Sequence, residues 1–347
     1  MKYQVARYLI FPLIISGCAN LSGERALEGA VTPQEFSVID QSCLPLSLQF
    51  SHDECRAAPS VGLAVQAIAE GNFESACISL QKARSVADNT ALAGLHIWCL
   101  VQDNNLSAAK QLLNAAIAEL EVDQHIAYSG AIVHERSGNH QLAYSLFSDL
   151  FAINNEIMVL QACARTALAS EQAQRCLDCL DRLLLATDVT PKHLTMRAAA
   201  FAQLHRYSES MALLVNMLED WPNDGELLLQ TAFVAYDYAT ESSDPNLYVD
   251  AARLLRRITE LDPQNSLVFL PLARCYAASG DFNESTLAFV RCIELEPNNV
   301  AASHELSDLY ITYNDKSLAK KILRQLLNQP ISPVARQQTT NKLSQLD

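Results

Sequence analysis

Ten cysteines and eight histidines are the side chains of this 347-residue sequence best able to do chemistry, and their spacing decides which kind. Cys176-Leu177-Asp178-Cys179 has the two-residue gap of a redox dithiol, and a thiol enzyme using this pair is one reading. Such a dithiol belongs with neighbouring strands, whereas apolar residues here recur at helical intervals. His125, His134 and His140 cluster with Glu135. Their gaps of nine and six residues do not match the His-Glu-x-x-His arrangement that presents two imidazoles on one helix face to zinc. No Gly-x-Gly, no Gly-Lys-Ser/Thr and no Gly-x-Ser-x-Gly occurs, which removes the dinucleotide loop, the phosphate cradle and the nucleophile elbow. Glu119 and Glu121 read as a solvated helix edge. The sequence thus predicts no catalytic residue, no metal and no cofactor.

The cysteines can instead crosslink. Nine follow Cys18, an odd number, so at least one has no partner within a monomer. Cys43 and Cys55 flank an apolar stretch (Phe36, Val38, Ile39, Leu44, Leu46, Leu48, Phe50). In an oxidising compartment a bridge between them is expected. Two further pairs follow from antiparallel helix packing, which sets early places of one helix opposite late places of the next. That geometry puts Cys163 nearer Cys179 than Cys176, and lets Cys77 meet Cys99; otherwise each is a small buried apolar residue.

The elements that position these residues are repeats. Pro222, Pro263 and Pro297 each follow a helical run, 41 and then 34 residues apart, and a period in the thirties means units that bury their apolar faces only by stacking. Eight units fit, 57–89, 90–123, 124–156, 157–190, 191–224, 225–265, 266–299 and 300–333. Place 20 reads Ala76, Ala109, Ala143, Cys176, Ser210, Ala251, Ser285 and Ala319, all small. Place 8 reads Ala64, Ile97, Ala131, Ala164, Ala198, Ala232, Ala273 and Ser307, small but for Ile97. Place 24 reads Leu80, Leu113, Phe147, Leu180, Leu214, Leu255, Phe289 and Leu323, large residues that fill space between packed helices. Each unit is a helical hairpin turned at residues such as Gly71-Asn72, Asn104-Asn105, Gly138-Asn139 and Gly280-Asp281. The seven extra residues of the sixth unit, within Glu241 to Tyr248, are expected to lengthen its inter-helix loop.

This pattern resembles the tetratricopeptide repeat family, most fully over Ser266 to Asn299. It departs at Ile97 and in the missing prolines of the first four units. The resemblance implies an all-α solenoid of antiparallel helix pairs wound as a right-handed superhelix, with residues 334–347 as a terminal capping helix. It also implies that places 2, 5, 9 and 12 of the first helices line an inner curve that binds partners. In the earlier units these places hold Val65, Trp98, Tyr128, Ile132 and Arg165. Later units contribute Leu229, Phe233, Tyr236, Leu267, Leu270, Arg274 and His304. A face this apolar and aromatic suits a helix or extended segment of another protein.

The first residues carry an address. Lys2 and Arg7 precede an apolar run, Tyr8 to Ile15, too short to span a bilayer as a helix and ordered as a secretory signal. It ends in Ile15-Ser16-Gly17-Cys18, which resembles the lipobox of bacterial lipoproteins and implies removal of residues 1–17 and a lipid on Cys18. Ala19, where an aspartate would retain the protein at the inner membrane, implies the periplasmic face of the outer membrane. Residues 18–32 then read as a lipidated tether and 33–56 as a cap segment over the first repeat. Removing residues 1–17 takes away Lys2 and Arg7 and moves the net charge from −14 to −16. So acidic a chain has no footprint for nucleic acid and cannot rely on surface charge to lie against anionic lipid. The expected function is a noncatalytic, lipid-anchored adaptor that binds protein segments while a cell-envelope machine is assembled or regulated. The other reading is an accessory carrier with an exported polysaccharide or lipid in the same groove.

Overall fold

A computed structural model describes residues 48–49, 59–86, 88–188 and 190–346. Cys18, Cys43 and Cys55, and with them the signal, tether and most of the cap segment, lie outside the described residues. The described residues form helices joined by turns. Eight belong to a first compact unit, residues 1–189, and nine to a second, residues 190–347. In the first are α1 (Pro59–Ala69), α2 (Phe73–Val86), α3 (Thr90–Gln102), α4 (Leu106–Glu119), α5 (Gln124–Arg136), α6 (His140–Asn154), α7 (Ile157–Ala169) and α8 (Ala173–Ala186). In the second are α9 (Pro191–Gln203), α10 (Tyr207–Asp220), α11 (Gly225–Ser242), α12 (Pro245–Leu261), α13 (Ser266–Ser279), α14 (Phe282–Leu295), α15 (Val300–Thr312), α16 (Lys316–Leu327) and α17 (Pro333–Ser344). None is long and apolar enough to cross a membrane.

The starts of these helices are written in local chemistry. Side chains of Asn89, Asn105, Asp123, Asp224, Asn299 and Asp315 accept hydrogen bonds from backbone N–H groups of the turns they open, satisfying donors that a helix leaves unpaired. Thr190, Asp244 and Ser332 cap in the same way and are followed by Pro191, Pro245 and Pro333 at the first helical position, where a missing N–H costs nothing. Helices α10, α12 and α14 end just before Pro222, Pro263 and Pro297. The core follows the sequence frame closely. Every residue at places 8 and 20 is fully buried, and those at place 24 are at most 4% exposed. Small residues let two backbones approach; the large one fills the gap beside them, and burying each Leu or Phe contributes about 1.5–3 kcal/mol. Where place 20 is serine its hydroxyl is not wasted. Ser210 Oγ donates to the Ala198 carbonyl at 2.7 Å and Ser285 Oγ to that of Ala273 at 2.9 Å, each tying a second helix to the small place of the first.

Each of the eight hairpins turns through one residue at positive φ: Gly71, Asn104, Gly138, Glu171, His205, Ser243, Gly280 and Asn314. Seven stand at place 15 of their units and Ser243 at place 19. That displacement corrects the expectation of a longer loop in the sixth unit. Only Ser243 and Asp244 separate α11 from α12, while α11 is four residues longer than α13 and α12 three longer than α14. Seven residues are thus shared as about one helical turn on each arm, which keeps both apolar stripes in phase at 3.6 residues per turn.

Candidate functional site

The residues expected on the inner curve sit differently in the two units. In the first, α3 is buried along its whole interior, Ala91 to Val101, packed against α2, α4 and α5. The crossing with α5 is close because Gly94 has no side chain. A Cβ there would lie 2.7 Å from the His125 carbonyl oxygen, and Ser129 Oγ on α5 donates to the Gly94 carbonyl at 2.7 Å. Thr90 Oγ1 donates to Asp123 at 2.7 Å, and the His125 ring lies between Asp123 Oδ2 at 2.8 Å and the Gln49 carbonyl at 2.9 Å. A stretch preceding the repeats, with Leu48 fully buried, therefore meets the start of α5. His96 shares this interior without a partner for Nδ1, and burial lowers its pKa to about 4.

Of the residues expected on the inner curve, Val65, Trp98, Tyr128 and Ile132 are buried, with Trp98 the most accessible at 9%. They form the interior of the first unit and offer no surface to a partner. Trp98 packs edge-on against Phe73 and Tyr128 against Phe147. Arg165 on α7 is held by Glu135 on α5 in a two-pronged ion pair, Nε to Oε1 at 2.5 Å and Nη2 to Oε2 at 2.8 Å. Burial works against the Arg165 charge, and the bond and field of Glu135 more than restore it. Periodicity alone did not separate these positions from open ones, because a covered apolar stripe and an exposed one have the same period.

In the second unit the residues expected on the inner curve are partly accessible. Tyr236 is buried, and its hydroxyl lies 3.5 Å from Arg274. Arg274 makes a two-pronged pair with Glu305 of α15, at 2.8 and 2.6 Å. His304 Nε2 meets Thr339 Oγ1 at 2.8 Å, and Lys342 of α17 pairs with Asp308 at 2.7 Å, so α17 packs on the middle of α15. Asp308 stays 61% exposed, and apolar side chains remain accessible as well. Leu267 is 62% exposed, and Leu229, Phe233 and Leu270 are half-buried. The two arginine pairs were missed in the sequence, although partners 30 and 31 residues apart on adjacent first helices carry a legible signal.

The lengthened hairpin carries a polar cluster. Glu241, in the added turn of α11, pairs with His205 at 2.5 Å, and Tyr207 stacks on Tyr238 with centroids 5.7 Å apart. Beneath them burial raises the Asp237 carboxyl to about 6, against some relief from His205. A carboxyl whose folded pKa exceeds its ordinary 3.8 is favoured when protonated, so its contribution to stability is full below pH 3.8 and is lost as pH rises through 6. Asp237→Asn should therefore raise the stability of this unit by about 2 kcal/mol at pH 7.5, with the gain fading as pH falls from 6 and nearly gone at about pH 4. Thermal unfolding of both proteins from pH 4 to 8 tests this; a pH-independent difference would mean that charge is not the cause.

Stacked helix pairs, one left-handed residue per turn, and small and large places in phase settle the architecture. The fold is a tetratricopeptide-like solenoid of helix pairs. Residues 270–299 match the tetratricopeptide repeat family. The worm protein named tetratricopeptide repeat-containing protein trd-1, from Caenorhabditis elegans, is 26% identical over 148 residues, 37% of this chain and 19% of that protein; the chain thus spans about a fifth of that relative's length. Two solved structures share the fold. A tetratricopeptide repeat protein from Parabacteroides merdae aligns with 78% of this chain and 98% of its own at a TM-score of 0.51 and 14% identity. The C-terminal part of a repeat-containing protein from Cytophaga hutchinsonii aligns with 70% and 97% at 0.52 and 15%.

Proposed function

We propose that this protein is a noncatalytic adaptor, lipid-anchored through Cys18 at the periplasmic face of a bacterial outer membrane. In this reading the inner face of residues 190–347 captures a helical or extended segment of another envelope protein. The assembly served is an envelope machine, such as a pilus or secretion system, or a docked periplasmic hydrolase or protease. The observation that carries the binding half is Leu267, a large apolar side chain left 62% exposed, with Leu270, Phe233 and Leu229 half-buried. Accessible apolar residues at the expected inner-curve places suit a peptide segment. The address half rests on Lys2, Arg7, the apolar run and Cys18 in their expected order.

Photo-crosslinkers at Phe233 and Leu270 in cells should give one discrete protein adduct that Leu267→Asp abolishes. A crosslinker at Leu185, an exposed second-helix residue of α8, should not give it. Recovery of a polymer with no protein attached would replace the adaptor by a carrier. Cys18→Ser should move the protein from the membrane to the soluble fraction; retention on the membrane would remove the anchor.

A further inference from the structure

Seven cysteines lie among the described residues, all buried, yet they are not alike. Cys77 on α2 and Cys99 on α3 face one another as hydrogen-bonding thiols, and so do Cys163 on α7 and Cys179 on α8. Both pairs span adjacent antiparallel helices of the first unit, and their accessibility is split in the same way. Cys77 is 9% exposed over a partner at 0%, and Cys179 is 7% exposed over a partner at 2%. Each pair thus has a more accessible, outer cysteine on the second helix of a hairpin and a less accessible, inner one on a first helix.

We propose that Cys77–Cys99 and Cys163–Cys179 are two dithiol sites that close to disulfides, independently of what the protein binds. The oxidant is a disulfide of the thiol-oxidoreductase or oxidised-glutathione class. The outer thiolate attacks one sulfur of that disulfide and expels the other as thiolate, leaving a mixed disulfide on Cys77 or Cys179. The inner cysteine gives up its proton and attacks the outer sulfur, and the second carrier thiolate leaves and is protonated. Two protein thiols are oxidised and one carrier disulfide is reduced to two thiols. The Cys163 bond and the Arg182 guanidinium both favour the Cys179 thiolate against the cost of burial, and the Cys99 bond does the same for Cys77. Because Cys179 shares a side-chain hydrogen bond with Cys163 on the adjacent helix, its resolving partner is Cys163 rather than Cys176, its neighbour in the Cys-x-x-Cys run.

Cys275 and Cys292 are the internal controls. Both are fully buried, and burial raises each thiol to about 12. The full chain, purified reduced and incubated with oxidised glutathione, should yield on non-reducing digestion the linked peptides Cys77–Cys99 and Cys163–Cys179. Cys275 and Cys292 should remain free. Cys163→Ser should trap glutathione on Cys179, seen as the mass of one glutathione, while Cys275→Ser changes neither link. The unfolding midpoint of the wild type should rise on oxidation and fall back with dithiothreitol. Recovery of all four cysteines as thiols under conditions that oxidise other cysteines of the chain, or a Cys163–Cys176 link in place of Cys163–Cys179, would overturn the proposal. Because the wild type carries the decisive readout, it does not depend on a variant that fails to fold.

Discussion

Gly94→Ala should cost the first unit about 3 kcal/mol, although alanine is the better helix former by about 1 kcal/mol. The new methyl would stand 2.7 Å from the His125 carbonyl oxygen, 2.8 Å from its carbon and 2.9 Å from its Cβ, so α3 and α5 would have to separate. Separation lengthens the Ser129-to-Gly94 hydrogen bond and opens a gap along a helix with no exposed interior residue. Gly130 in α5 is the matched control. A Cβ there meets only Leu113 side-chain carbons at 3.5 and 3.8 Å, which is ordinary contact, so Gly130→Ala should be neutral or stabilising by up to about 1 kcal/mol. Urea unfolding followed by Trp98 fluorescence in a Trp221→Phe background compares the two. Equal effects would show that helix propensity, not the crossing, governs both sites.

The second large effect concerns Glu135. Glu135→Ala leaves the Arg165 guanidinium without its two-pronged partner in a place where the glutamate side chain is 5% exposed and the arginine 29%. Removing one member of a pair this buried costs about 3 kcal/mol, mostly as the penalty of an uncompensated charge. Glu135→Gln keeps the shape and should cost less. Replacing both partners by leucine should recover most of the loss, since an apolar pair of similar volume carries no desolvation cost. The exposed Arg206–Glu209 pair supplies the contrast: Glu209→Ala should leave the midpoint unmoved. If Glu135→Ala behaves like Glu209→Ala, the pair is not buried in solution.

Much of this fold was legible before any coordinates. First helices begin at Thr90, Gln124, Ile157, Pro191, Gly225, Ser266 and Val300, the starts read from the frame, and Pro59 falls two residues after the expected Ala57. The frame worked because two backbones in contact leave room only for Ala, Ser or Cys, and that demand recurs whatever a unit binds. The pairing of Cys163 with Cys179 was legible for the same reason, since antiparallel packing is geometry. Accessibility was not. Trp98 and Leu267 occupy corresponding kinds of position in sequence, yet one is interior and the other 62% exposed. The difference lies in what packs over each position, and no local pattern encodes contacts as distant as that from Gln49 to His125 across 76 residues. Gly94 was the overlooked signal: a glycine inside a helix weakens it and therefore marks a neighbour too near for any side chain.

The sixth hairpin also limits how this chain could change over generations. Because a two-residue turn joins α11 and α12, an insertion has no slack to occupy and must be taken up by the helices. An added residue on one arm alone swings everything beyond it by about 100° about the helix axis, from 3.6 residues per turn, carrying Leu, Ala and Tyr off the core. Growth is tolerated when it arrives as paired turns, seven residues at a time, and such an event leaves the rest of the hairpin untouched. Length variants of this array should therefore differ by steps of about seven within a hairpin or about thirty-four between hairpins, with intermediate sizes selected against.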